Sequence, residues 1–178
     1  MVEENERALG EEFMERFRRH LSEVDELSNI ILKGHLEVES HLDDIVDMIF
    51  FRPEHLRKVR LSFFDKVLVA KAYCPDPDAR DWVLIDSLNE VRNSIAHRRT
   101  PQLRAVKVEN VRKLLSGFGT EAFRSEMRAA DDKEIIEQVT MVCCGFPTYV
   151  EESVYKVRQV ISQSLEVPSP PELKGVVG

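Results

Sequence analysis

The chain has 178 residues, 43% of them hydrophobic and 32% charged, with a formal net charge of −7. Those figures fit one soluble, ordered, helix-rich domain with enough chain to bury a core. No run approaches the roughly 20 apolar residues of a membrane helix, and the acidic start Met1-Val2-Glu3-Glu4-Asn5-Glu6 does not read as a signal peptide.

The apolar spacing is helical almost throughout. A first segment, Glu3 to Arg19, places Leu9, Phe13 and Phe17 four apart. A second, Ser22 to Phe51, carries Leu27, Ile31, Val38, Leu42, Ile45 and Ile49 as one stripe. Arg52-Pro53 ends it, because a residue before proline avoids the helical region. Ser62-Phe63-Phe64-Asp65 opens the next helix with a capping serine and an acid three residues on. That helix carries Phe64, Val67, Leu68 and Ala72 and ends near Cys74-Pro75. Asp76-Pro77-Asp78 is a turn, with Asp78 as the expected N-cap.

A helix from Ala79 to His97 or Arg98 follows, stopped by Thr100-Pro101. Val106 to Leu115 is either a short helix or partly extended, and Gly117-Phe118-Gly119 is a break. Thr120 to Ala129 is a short helix. Lys133 to Leu165 is one long helix or two, with Gly145-Phe146-Pro147 as the interruption or kink. The expected architecture is an all-α helical bundle, a four-helix core with additional helices. Residues 1–166 form one domain and residues 167–178 a disordered tail.

The charge is unevenly spread. Residues 1–50 carry 5 basic and 14 acidic side chains, residues 51–113 carry 14 and 8, and residues 114–178 carry 6 and 10. The acidic total argues against indiscriminate nucleic-acid binding, which needs Lys and Arg to displace counterions. The basic middle third is either a local phosphate-binding surface or a set of solvated helix faces. The three cysteines, Cys74, Cys143 and Cys144, include no Cys-x-x-Cys pair. They argue against a disulfide framework or zinc site, and a reducing cytoplasm is expected.

Leu88-Asn89-Glu90-Val91-Arg92-Asn93-Ser94-Ile95-Ala96-His97-Arg98-Arg99 is the stretch that carries chemistry. Leu84, Leu88, Val91 and Ile95 form the core-facing stripe. Arg92 lies on its flank, about 40° from Leu88, and His97 about 140° from Arg92. Asn93 and His97 are i,i+4 neighbours. Arg92 and His97 act together only if Arg92 reaches around, the helix end unwinds, or a second chain supplies the missing half. The last option favours a homodimer with a shared cleft.

A histidine titrating near neutral pH suits general acid or base work. A guanidinium suits a phosphate. The reaction expected is metal-independent RNA cleavage that needs no cofactor. A ribose 2′-OH attacks the adjacent phosphorus and leaves a 2′,3′-cyclic phosphate. His97 is the acid or base, Arg92 holds the phosphate, Asn93 orients His97 or donates to the phosphate, and Arg98 and Arg99 position the backbone. The plain alternative pairs Arg92 with Asp86, Glu90 or another helix, makes His97 a helix C-terminal residue favoured by the dipole, and makes Asn93 an ordinary buried polar linker.

Arg92, four intervening residues and His97 resemble the Arg-x4–6-His signature of HEPN-type helical domains, many of which are RNases. Gly34-His35-Leu36-Glu37-Val38-Glu39-Ser40-His41-Leu42 resembles their acidic-apolar early helix, and Leu61 to Ala70 their second block. The order also resembles the mannitol operon repressor family. The HEPN resemblance implies a dimeric helical bundle with Arg92 and His97 in a cleft, and a toxin or defence RNase with a separate antitoxin protein. The mannitol repressor resemblance implies a non-catalytic transcriptional regulator or adaptor working through protein contacts. No membrane partner is expected.

His35 and Glu39 are i,i+4, with His35 on the apolar stripe. A buried, hydrogen-bonded polar pair is preferred over a metal pair, since no third ligand is indicated; lining the Arg92 cleft is a further option for it. Asp43, Asp44 and Asp47 read as a solvated acidic face. Cys143-Cys144 reads as small packing residues at a kink.

Overall fold

The computed structural model describes residues 11–15, 26–96, 101–165 and 167–171. Helix α1 spans Glu26–Ile49. Its stripe is the expected one: Ile31, Val38, Leu42 and Ile45 are fully buried, and Leu27 and Ile49 pack against the core as partly buried neighbours. A short 3₁₀ turn, Pro53–Lys58, follows. Then come α2 (Phe63–Tyr73), α3 (Arg80–Ala96), α4 (Pro101–Leu115), α5 (Glu121–Ala129) and α6 (Asp132–Leu165). Every regular element among the described residues is a helix, so the chain is an all-α bundle.

Local chemistry sets most boundaries. Ser62 and Asp65 form a reciprocal capping box at the start of α2. Thr120 caps α5. Asp131 and Glu134 satisfy each other's backbone N–H at 2.9 Å and open α6. Gly119 takes φ +64°, a conformation L side chains rarely adopt, and ends the turn between α4 and α5. Arg112 of α4 ties down the α5–α6 corner by donating to the Met127 and Ala130 carbonyls at the end of α5 and to Asp132 at the start of α6.

Four boundary or face expectations change. Helix α2 buries Phe63, Lys66, Val67 and Ala70 and leaves Phe64 and Leu68 exposed. Its core face is therefore rotated from the one read in the sequence, because Phe63 and Lys66 turn inward toward α1. Helix α3 starts at Arg80, and Asp78 sits inside a turn closed by Ala79 N–H to the Asp76 carbonyl rather than at the cap. Helix α4 is fully helical from Pro101, a residue suited to a first helical position because its missing N–H would have no partner there. Helix α6 runs unbroken through Pro147, which is buried. The Thr148 hydroxyl donates to the Cys144 carbonyl, and a side chain at Gly145 would meet open space.

Helices α1 and α6 form the main seam and run parallel. Glu26 pairs with Lys133, Gly34 abuts Thr140, His41 bonds Glu151, and Arg158 reaches the Met48 carbonyl. These contacts advance together along both helices. Gly34 is where the two approach closest: a Cβ there would lie 2.5 Å from Thr140 Oγ1. Helix α3 buries Trp82, Leu84, Ile85, Leu88 and Val91 into the same core, with Ile95 at its edge, and pairs antiparallel with α4 through Glu90–Lys107 and Arg80–Gly117. Cys143 is a buried packing residue whose thiol burial pushes far up; that of Cys144 is pushed up to about 11. Residues 167–171 lie against the end of α6, where Ser162 donates to the Pro168 carbonyl and Pro170 is buried. Leu9, Phe17, Ser22, Thr100 and residues 172–178 lie outside the described residues. No helix among the described residues is long and apolar enough to cross a membrane.

Candidate functional site

The seam between α1, α2 and α3 carries buried polar side chains. His35 is buried on α1, in the stripe between Ile31 and Val38. Its Nε2–H donates to the Asn89 amide oxygen on α3 at 3.0 Å, which fixes the neutral ring's tautomer. Its other face stacks on Phe63 of α2, with ring centroids 4.4 Å apart. One turn further along α1, Glu39 accepts from Lys66 of α2 at 2.8 Å, and Asp43 shares the same ammonium at 2.9 Å. Lys66 is itself nearly buried.

Arg92 joins this seam from the C-terminal half of α3. It is half-buried, and its Nη1 donates to the Asn93 amide oxygen at 3.1 Å. Its charge is close enough to depress the pKa of both His35 and Glu39. Burial is the largest cause at His35 and lowers it below its ordinary value near 6.5, outweighing the Asn89 hydrogen bond. Burial alone would raise Glu39, yet the Lys66 hydrogen bond and charge bring it below its ordinary value. Lys66 is raised against its own burial by Asp43 and Glu39. At neutral pH the seam therefore holds a neutral imidazole, an ammonium with two carboxylates, and the Arg92 guanidinium.

Several sequence expectations are resolved. Arg92 forms no ion pair with Asp86 or Glu90: Glu90 binds Lys107 at 2.6 Å, and Asp86 is raised by burial, which outweighs the Lys71 charge nearby. His35 and Glu39 are each hydrogen-bonded, but not to each other; α3 supplies the partner of one and α2 that of the other. Asp43 and Asp47 are not a purely solvated face, since they pair with Lys66 and Arg57. His97, Arg98 and Arg99 lie outside the described residues, so the geometry covers Arg92, Asn93, His35 and Glu39. Among the described residues no group of His, Cys, Asp or Glu could hold a metal ion.

The sequence reading did not single out Asn89, Lys66 or Phe63. Asn89 had a usable signal: it precedes Arg92 by three residues and Asn93 by four, so all three share one flank of α3. Lys66 had none, because a lysine among apolar residues of a short helix reads as solvated.

Comparison with protein-family models, with curated proteins and with solved structures finds no match for this chain.

Proposed function

We propose that the chain is an HEPN-like, metal-independent endoribonuclease of a toxin–antitoxin or defence system, acting in the cytoplasm as a homodimer and held in check by a separate antitoxin. One observation carries this reading. The Arg92 guanidinium is bonded to a neutral amide instead of being neutralised by a carboxylate, and it stays half-exposed. Its bond to Asn93 occupies one of several N–H donors, which leaves the fork suited to a phosphodiester.

In this reaction Arg92 binds the scissile phosphate and stabilises charge growing on its oxygens. His97 takes the proton from the 2′-OH or returns one to the leaving 5′-oxygen. Asn93 holds the Arg92 fork, and Asn89 and His35 hold the flank of α3 behind it. Arg98 and Arg99 add contacts to the RNA backbone. The experiment is digestion of total RNA by the full chain in EDTA, comparing wild type with His97→Ala and Arg92→Ala after circular dichroism confirms that both fold. Cutting by wild type alone is the expected result; equal cutting by all three, or none, removes the assignment.

A second reading is a regulator like the mannitol operon repressor group, working through protein contacts. The exposure of Phe64 and Leu68 on one side of α2 favours it, since apolar side chains in water suit a protein partner. Under that reading RNA stays intact and Phe64→Asp breaks complex formation.

A further inference from the structure

At the C-terminal end of α1, about 18 Å along the helix from His35, lies a half-open cavity of about 460 Å³. That is the size of a small-molecule pocket. Met48, Phe50, Phe51 and Pro171 give it apolar walls, and Arg57 and Arg158 give it two cations.

Arg158 is the informative residue. It is 2% exposed. Its Nε donates to the Met48 carbonyl at 2.8 Å, and its guanidinium lies 3.7 Å over the Phe51 ring. Its Nη1 is buried and has no hydrogen-bond partner among the described residues. The Met48 carbonyl is one of the last in α1, so the Nε bond is explained as a helix cap aided by the dipole. Nothing comparable explains Nη1. The cavity's three carboxylates have other contacts: Asp47 pairs with Arg57 at 2.6 Å, Glu151 accepts from His41 at 2.8 Å, and Asp44 is engaged elsewhere. A buried cation with an unsatisfied N–H is costly unless an anion meets it.

We propose that this cavity binds a small organic acid, with its carboxylate paired to the Arg158 guanidinium and its apolar body against Phe50, Phe51 and Met48. Arg57, already paired with Asp47, stands at the exposed rim, which leaves Arg158 as the cation that meets the anion. Polymers are excluded because Arg158 is too deep for a backbone phosphate to reach. The proposal does not depend on the RNase reading.

The test is an NMR titration of the full chain, labelled at methionine methyls, following Met48. The probes are 3-phenylpropionate, its neutral amide and inorganic phosphate. Saturable shifts with the acid are expected, with binding about tenfold or more weaker for the amide, the loss that goes with one charge-assisted hydrogen bond. Phosphate, lacking the apolar body, binds more weakly than the acid. Arg158→Met lowers affinity for the acid by a similar factor. Should that variant fail to fold, Ser169→Trp keeps Arg158 and fills the cavity from an exposed rim position; it abolishes the Met48 shift. No saturable shift with the acid, equal affinity for acid and amide, phosphate binding as tightly as the acid, or an unchanged titration in the variant that folds overturns the proposal.

Discussion

Arg92 and Arg158 share a chemical state and differ in access. Among the described residues neither forms an ion pair, and each is held by one neutral oxygen, the Asn93 amide or the Met48 carbonyl. Arg92 is half-buried on the flank of α3. Arg158 lies buried under Phe51 in the wall of a half-open cavity. A guanidinium without a carboxylate partner has a full charge to offer, and burial decides to whom. The half-exposed one suits a polymer such as RNA; the buried one suits only a small molecule that can enter. The seam around Arg92 also satisfies its own polar groups through His35–Asn89 and Lys66–Glu39, whereas the Arg158 end leaves an N–H over.

The comparison can be broken by mutation. Arg92→Ala is expected to lower RNA cleavage by about 10²–10³-fold, as loss of an oxyanion-stabilising donor does. Its thermal midpoint should barely move, because only one neutral hydrogen bond is lost; a large drop in stability would make Arg92 structural. Leu88→Ala empties a fully buried position under the seam. It should cost about 2–5 kcal/mol in urea unfolding, with activity falling only in proportion to the unfolded fraction.

Smaller effects sharpen the picture. Gly34→Ala forces a methyl into Thr140 and should cost about 1–3 kcal/mol, partly rescued by Thr140→Ala, which also removes a buried hydroxyl without a partner. Asn89→Ala leaves the His35 N–H buried and unpaired, at a cost of about 1–3 kcal/mol.

The pH effect is the smallest. The folded pKa of His35 lies below its ordinary value near 6.5, so as pH falls through 6.5 the unfolded chain takes up the proton first. Stability from this group is present above pH 6.5 and lost on acidification toward the lowered folded pKa. Glu39 acts in the same direction but only below its ordinary value of 4.5. Urea midpoints measured between pH 7 and 5 should slope less in His35→Gln than in wild type; parallel slopes would show that His35 does not titrate this way.

The helical class, the α1 stripe and the core face of α3 were legible because long helices repeat their apolar positions and one-sided burial enforces the period. The Ser62–Asp65 box was legible because capping is local. The buried face of α2 was not: Phe63 and Phe64 are equally apolar, and only stacking on His35 chooses Phe63. Pro147 left one helix or two open in the sequence, and the single helix is the outcome: Pro147 is buried inside it although proline removes one helical hydrogen bond. At the site, a motif marks Arg92 and Asn93, and helical spacing puts Asn89 on their flank, while Lys66 is visible only once α1 supplies Glu39 and Asp43 as partners. The parallel run of α1 and α6, separated by more than eighty residues of chain, has no local signature at all.

The most direct test of the RNase proposal is the chemistry of the ends left on RNA digested by the full chain in EDTA. Fragments ending in 2′,3′-cyclic phosphate, present with wild type and absent with His97→Ala and Arg92→Ala, are the predicted result. Uncut RNA, or fragments ending in 3′-hydroxyl, would contradict it.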